Sequence, residues 1–425
     1  MARTLTPLDG CAIMTQVVRQ ATGQDSFGVV NSSNFVSAGE TVLATGMENV
    51  YNAINTVLSR LVLAVRPYPG KFLTVQAADS GVYSNRMRKI SFYAKDPLES
   101  GYFNTDQNTN LAEGYTSGDN GGASTKSQWE QHQAMPLEMN FAGGTTWQDA
   151  ITEYENQVKM AFRGPDEWTA FVAGYLQEHA NDITSQKEAW ARMAVVSKIA
   201  NIYDNAINNS IATESAVNLT AAFNAYFNPG TPYTTSQLLS TYLKEFTEFA
   251  IATIKEYSDR LTDRSARFHD PMTKTVGGVN YHILRHTPKE DQRLILYGPL
   301  MKKVEALVMP EIFGPNYLDL GQNYESVNYW QANDGSNDMG INYTTGVYDH
   351  VTGLQIAGNN VQLDYVVGLL FDRDALLTDM ELEIAHTTPV EARKGYRNTW
   401  LTFEKNIVLD QTENAILFYM KDPTP

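Results

Sequence analysis

Lys89-Ile90-Ser91-Phe92-Tyr93-Ala94-Lys95 and Leu137-Glu138-Met139-Asn140-Phe141 bracket a long stretch, Pro97 to Gln133, rich in Gly, Asn, Ser, Thr and Tyr. The two flanks alternate with period two, the pattern of half-buried strands. Glycines at 101, 114, 118, 121 and 122 punctuate the stretch between them. Connections longer than roughly 12–15 residues without secondary structure are uncommon in compact domains and are usually functional or disordered. Tyr102, Phe103 and Tyr115 lie inside this one, and a purely disordered linker tends to lack aromatics. Two readings fit. One is a two-stranded arm that reaches past its own core and orders against a neighbour; the other is a mobile surface loop.

Upstream, residues 1–40 are polar apart from Ala12-Ile13-Met14 and Val17-Val18, which suit one short helix. The whole reads as an N-terminal arm that docks elsewhere. Val50, Ile54, Val57, Leu58, Leu61 and Val65 have helical spacing, and Pro67 closes that helix.

Downstream, Thr146 is placed to cap a helix from Trp147 to about Phe162. Pro165 then suits a first-turn position. Trp168, Phe171, Val172, Tyr175, Leu176 and His179 form an apolar stripe, and Trp190, Met193, Ala194, Ile199 and Ile202 continue it. The spacing predicts one helix of about 40 residues, a spine against which other elements pack. Residues 203–235 read as irregular, with a turn at Asn228-Pro229-Gly230. A helix is expected from Ser236 to about Arg260, a buried strand at Arg293–Tyr297, and a helix near Pro299–Met309. Residues 313–346 are Gly/Asn-rich, and Tyr365 to Tyr419 carries mostly strand signals.

At 425 residues the chain exceeds what one core usually supports. Its hydrophobic fraction of 43% is ordinary for a globular protein. A net charge of −16 argues against tight nonspecific nucleic-acid binding over the whole surface. It suits a protein that sits near nucleic acid without adhering, or simply one kept soluble by its charge. A single cysteine, Cys11, excludes an intrachain disulfide and fits folding in a reducing cytosol. The N-terminus has no signal-peptide run, and no segment reaches the roughly 20 apolar residues of a membrane span. The chain is therefore expected to fold in solution, with no membrane partner.

Chemical motifs are nearly absent. There is no phosphate loop, nucleophile elbow or His-Glu-x-x-His pattern, and one cysteine cannot form a Cys-x-x-Cys zinc site. Asp334-Gly335-Ser336-Asn337-Asp338 begins like a calcium loop, but Met339 and Thr345 stand where Gly and Glu are required. His282 and His286 would share a face on one strand, without an evident third ligand. Asp372 with Asp374, and Glu381 with Glu383, are carboxylate pairs of the kind glycoside hydrolysis uses, and equally of a solvated strand face. Trp147, Trp168 and Trp190 could form a carbohydrate platform, although the last two sit on core-like stripes. No catalytic residue, metal or cofactor is assigned. A large acidic chain with an arm, a spine helix and no site has the look of a building block.

The C-terminal block makes the expectation specific. Val366-Val367-Gly368-Leu369-Leu370-Phe371-Asp372-Arg373-Asp374-Ala375-Leu376 is followed by Thr387-Thr388-Pro389. Gly395-Tyr396-Arg397-Asn398-Thr399-Trp400 comes next, then Thr412-Glu413-Asn414-Ala415-Ile416-Leu417-Phe418. This order resembles the ends of tailed-bacteriophage major capsid proteins with the Hong Kong 97-type fold. The match in residues covers about the last 60; the order of elements fits over most of the chain.

The resemblance implies an α+β fold with an N-terminal arm (1–45), a helix and extended E-loop (46–135), and a P-domain with the spine helix (136–212). A mixed A-domain (213–400) and a C-terminal strand returning to the P-domain (401–425) complete it. It also implies a subunit that assembles into hexamers and pentamers of an icosahedral shell around double-stranded DNA, without sequence-specific binding. Tyr102, Phe103 and Tyr115 become candidates for contact between subunits. Scaffold, portal and decoration proteins are further candidate partners, a separate scaffold or none being expected because the chain opens directly on the arm. The implied location is the virion, after assembly in the bacterial cytoplasm. Two rivals remain: another virion component such as a portal or tail protein, and an acid-pair hydrolase using Asp372 or Glu383.

Overall fold

The computed structural model describes residues 7–24, 28–46, 49–50, 53, 70–76, 86–95, 135–142, 145–276, 279–307, 324–331, 337–348, 355–391 and 393–423. The stretch from Pro97 to Gln133, with Tyr102, Phe103 and Tyr115, lies outside them, as does most of the helix expected before Pro67.

Two helices open the described chain, α1 (Pro7–Thr22) and α2 (Phe35–Ala44). Their apolar faces (Met14, Val17, Val18, Phe35, Val42) bury against Val158, Phe162 and Trp168, so the described part of this segment docks on its own chain. Strands β1 (Arg86–Phe92) and β3 (Pro136–Ala142) pair antiparallel, in line with the alternating flanks of the long connection. A short β2 (Ala94–Lys95) leaves that ribbon to pair with β7 (Val279–His282), which also pairs with β6 (Lys274–Val276).

The helix expected from Trp147 forms only in its last part. Residues Thr145–Tyr154 are strand β4, followed by the short helix α3 (Glu155–Ala161). Thr145-Thr146-Trp147-Gln148-Asp149-Ala150-Ile151-Thr152 carries three threonines and two β-favouring apolar residues at period two. Pairing along β14 (Tyr396–Leu409) outweighs the cap that Thr146 offered. With β13 (Leu376–Thr387), these make a three-stranded sheet of order β13-β14-β4.

The spine is as expected: α4 runs from Pro165 to Tyr203, 39 residues, with Pro165 in its first turn. It ends in a π-helical turn at Asp204–Asn208. There Asp204 accepts hydrogen bonds from Asn208, Thr345 and Asn359, which ties the spine's end to β10 (Ile341–Tyr348) and β11 (Gln355–Leu363).

A five-stranded sheet lies against the spine. Its order is β5 (Ala216–Asn218), β15 (Ala415–Met420), β12 (Tyr365–Asp372), β8 (Gln292–Tyr297) and β9 (Tyr324–Val327). Both faces are covered, which is why β12 and β15 read as continuous apolar runs and not as alternations. Val366, Leu369, Phe371, Leu417 and Tyr419 point to the spine side with Val195, Ile199 and Ile202. Val367, Leu370, Ile416 and Phe418 point the other way, into helices α5 (Leu219–Phe227) and α7 (Leu243–Arg260). Gly368 sits where a Cβ would meet Leu296 Cδ2 at 2.5 Å and the Ile295 carbonyl oxygen at 2.9 Å, so only glycine lets β8 lie this close. The remaining helix, α8 (Gly298–Leu307), follows β8 directly.

Two sequence expectations need correction here. Residues 203–235 contain α5, capped by Asn218 accepting from the Thr220 and Ala221 amides and stopped by left-handed Asn228. The helix expected over 236–260 is two helices, α6 (Thr235–Ser240) and α7, because Tyr242 departs from helical geometry and stacks on Tyr233, ring centroids 4.4 Å apart. Thr234 begins α6 with a complete capping box, its hydroxyl accepting from the Gln237 amide while Gln237 Oε1 accepts from its own. Thr234→Ala is expected to cost about 1 kcal/mol, read as a lower urea midpoint at unchanged slope. An unchanged midpoint would show that α6 is held by its packing alone.

Candidate functional site

Alternation puts one set of β1 residues inward and one outward. The inward set is polar: Lys89 is partly buried and Ser91 buried, while Ile90 and Phe92 are 55% and 60% exposed. On the paired strand β3 the sense reverses, with Leu137, Met139 and Phe141 half-buried and Glu138 and Asn140 exposed. The ribbon therefore meets the body of the protein with Lys89 and Ser91 beside Leu137 and Met139, and shows Ile90 and Phe92 beside Glu138 and Asn140 on its outer face.

The charge it meets is a cluster on the turn between β14 and β15. Lys89 Nζ lies 2.6 Å from Asp410 Oδ2 and 2.6 Å from Glu413 Oε1. Arg285, on the segment after β7, reaches Glu413 Oε1 at 3.1 Å and donates to the Thr412 carbonyl and to Ser91 Oγ. Lys198 enters from the spine and donates to the Asp410 carbonyl at 2.6 Å. Asp410 Oδ1 accepts from the amide and hydroxyl of Thr412. Three cations and two carboxylates thus join β1, the spine, the segment after β7 and the β14–β15 turn.

Burial sets the protonation of this cluster. It opposes the charge on Lys89, but Asp410 and Glu413 outweigh it and raise the ammonium above its ordinary value. Burial also pushes against ionised Asp410, and there Lys89 and the Thr412 donors win, lowering the carboxyl. Glu413 has the same 2.6 Å contact with Lys89, yet its carboxyl is raised: burial dominates, with the Asp410 charge adding to it. Asp410 has the Thr412 donors, which Glu413 lacks, and Glu413 in turn feels the Asp410 charge. Lys198, wholly buried, is lowered by that burial to about 8.

A second chain of polar groups adjoins the cluster. Thr287 Oγ1 donates to Asp372 Oδ2 at 2.8 Å, Asn414 Nδ2 donates to Thr287 Oγ1, and His269 bridges Asn414 Oδ1 and the Ile283 carbonyl. Burial lowers the His269 imidazole below its ordinary value. All these groups are engaged with one another. Together the contacts tie β1 to the spine, to the segment after β7 and to the β14–β15 turn.

The sequence-derived candidates fall as follows. Asp372 is buried at the end of β12, accepting from Thr287 and from the Asp374 amide, while Asp374 is exposed beside Arg373. They do not face a common space as an acid pair would. Glu381 and Glu383 are on β13, Glu381 directly opposite Glu404. His282 ends β7 and His286 lies beyond it, so no single strand presents both. Among the described residues no group of three His, Cys, Asp or Glu could hold a metal ion. Trp168 is buried against Phe162 and Phe171, Trp190 bonds the Asn406 carbonyl, and Trp147 lies on Phe403, so no carbohydrate platform forms. Asp410, Glu413, Arg285 and Lys198 were not singled out from the sequence. Only Lys198 carried a signal, as a lone lysine at core spacing within Ala194–Ile202.

No curated protein matches the chain in sequence. Among solved structures, the capsid of Staphylococcus phage Andhra is similar at 12% identity over 84% of this chain and 84% of that one, TM-score 0.48. The capsid of Cyanophage P-SCSP1u is similar at 10% identity over 83% of this chain and 88% of that one, TM-score 0.41. A family model described as the Phi29-like phage major capsid protein matches residues 145–419, from the start of β4 into β15. With more than half of its length in that match, the chain belongs to the Phi29-like phage major capsid protein family and is a phage capsid subunit.

Proposed function

We propose that this subunit builds its shell as hexamers and pentamers in the Hong Kong 97-type manner, with the β1–β3 ribbon as the root of the E-loop. In this reading residues 1–45 are the N-terminal arm, 46–135 the helix and E-loop, 136–212 the P-domain, 213–400 the A-domain and 401–425 the returning strand. The observation that carries it is the polarity of β1: Lys89 and Ser91 held inward, Ile90 and Phe92 exposed outward. A ribbon built to lie on its own body would place those two side chains the other way, since each buried apolar side chain stabilises by about 1.5–3 kcal/mol.

Tyr102, Phe103 and Tyr115 would extend the apolar surface onto a neighbouring subunit. A second exposed patch fits another contact: Tyr226 and Phe227 are 73% and 49% exposed and pack edge-on or tilted against Phe249. Repetition by symmetry multiplies each modest contact over a shell. The role is structural and not catalytic. The shell encloses DNA, is made in the host bacterial cytoplasm, and takes scaffold, portal and decoration proteins as partners.

Deletion of residues 101–128 tests the reading. The truncated chain is expected to stay soluble and folded by circular dichroism, and to give no polyhedral particles by electron microscopy where the full chain gives them. Normal shells from the deletion would end the E-loop assignment.

A further inference from the structure

Among the described residues, strand β4 is an edge. In the sheet of order β13-β14-β4 its one partner among the described residues is β14, and the register runs without a shift from Thr145↔Lys405 to Tyr154↔Tyr396. Long edge strands are normally protected by charged side chains, above all lysine, by proline or by a bulge. Thr145–Tyr154 has no lysine, proline or bulge, and its charges are Asp149 and Glu153.

The outward amides can be identified. Antiparallel partners alternate between pairs that exchange hydrogen bonds and pairs that do not. The Glu155 amide donates to the Gly395 carbonyl, which sets the phase so that odd residues of β4 bond to β14. Thr146, Gln148, Ala150, Thr152 and Tyr154 then direct their N–H and C=O to the open edge. An independent contact agrees: the Ala150 amide is met by the Asp149 carboxylate, Oδ1 at 2.9 Å, and not by β14.

We infer that this edge pairs antiparallel with the same edge of a second copy of the chain, about a two-fold axis at Ala150, joining the two sheets into one. This rests on the shell-building reading above and adds a contact that is isologous, with the same strand on both sides. The sequence suits it. A two-fold at Ala150 sets Thr146 opposite Tyr154, Gln148 opposite Thr152, and Ala150 opposite itself, so every outward amide finds a carbonyl. No two charged residues stand directly opposite, Asp149 facing Ile151 and Glu153 facing Trp147, while Asp149 has Asp149 and Glu153 of the second copy as diagonal neighbours, about 7–8 Å away. The smallest side chain sits on the axis, and its cross-strand partner Trp400 is 41% exposed on the same face. In the paired sheet the two Trp400 strands are about 14 Å apart, three strand spacings, and both indoles can lean over the central alanines. The Asp149 carboxylate that holds the Ala150 amide in the single chain must swing away, which makes it a local guard against premature pairing.

A disulfide reads the register directly. Residues facing each other in a hydrogen-bonded antiparallel pair have Cα atoms about 5.5 Å apart, within the range of about 4.4–6.8 Å that a disulfide spans. Particles of a Cys11→Ser/Ala150→Cys chain, oxidised and run on a denaturing gel without reductant, are expected to give mostly covalent dimer. Cys11→Ser/Thr146→Cys, whose cysteine faces Tyr154 of the other copy, is expected to stay monomeric. If the Ala150→Cys chain does not assemble, Cys11→Ser/Gln148→Cys/Thr152→Cys tests the same register with a pair of bonds. Particles whose Ala150→Cys subunits remain monomeric, or crosslink no more than Thr146→Cys, would overturn the pairing and leave the capsid reading intact. Failure of the unmodified chain to form particles would remove both.

Discussion

Asp410→Ala is expected to lower the free energy of unfolding by about 3–5 kcal/mol, the cost of removing one partner from a buried ionic group. The Asp410 side chain is fully buried. Its loss leaves Lys89 with Glu413 alone and leaves the Thr412 amide and hydroxyl, both buried, without their acceptor. The Asp410 carbonyl still receives Lys198, so the loss belongs to the carboxylate and not to a collapsed turn. Asp410→Asn should lose less, since an amide oxygen can still accept from Thr412 while the attraction to Lys89 is gone. A loss below about 1 kcal/mol for Asp410→Ala in urea titrations would show that the cluster is not a rivet.

The acid side of the stability curve gives a second reading of the same group. The folded-state carboxyl of Asp410 is depressed, so its contribution is fully present above the ordinary carboxylate range and is lost as pH falls through the folded value. Glu413 is raised and works in the opposite sense: the folded state takes up its proton first, which offsets part of the acid loss. The Asp410→Ala chain should therefore show a flatter decline in stability below pH 5 than the unmodified chain.

The sequence was legible where periodicity had a single cause. Trp168 and the run from Ala191 to Ile202 show helical spacing because the spine packs there, against the N-terminal helices and the five-stranded sheet, and β12 and β15 show apolar runs because both faces of their sheet are covered. It misled where two signals competed. Thr146 before Trp147 looks like a helix cap, yet β-favouring residues and ten paired positions on β14 make that segment a strand. Ser236 to Arg260 keeps an apolar stripe across a break made by the stacking of Tyr242 on Tyr233, a tertiary contact with no local signature. The ribbon's two flanks were readable as strands, but their sense was not. Period two says that faces differ, and only the partner at Asp410 and Glu413, more than 300 positions away in the chain, decides that Lys89 turns inward. The charged cluster escaped for the same reason: Asp410-Gln411-Thr412-Glu413-Asn414 has the composition of a solvated turn and is buried by strands brought from elsewhere.

Lys198 supplies the other large effect, and its sign distinguishes it from the rest of the cluster. Burial holds its ammonium at about 8 against an ordinary value of 10.5. Between those two values the unfolded chain binds a proton that the folded chain does not, so stability rises with pH across that window. The size is on the order of 3 kcal/mol, from a shift of that extent at about 1.36 kcal/mol per unit. Below pH 8 both states are protonated and the penalty of burying the charge is constant; above 10.5 it has gone. Lys89, raised by its carboxylates, loses its contribution only above 10.5 and does not interfere. Tyr419, pushed by burial up to about 12, acts against folding above pH 10 but does so equally in both chains. The difference in unfolding free energy between the unmodified chain and Lys198→Met should therefore shift by that amount, in favour of the unmodified chain, as pH goes from 8 to 10.5. Loss of the hydrogen bond to the Asp410 carbonyl offsets Lys198→Met by a constant and leaves the slope untouched. Parallel profiles for the two chains would mean that Lys198 stays charged inside the spine, with the β14–β15 turn solvating it as well as water does.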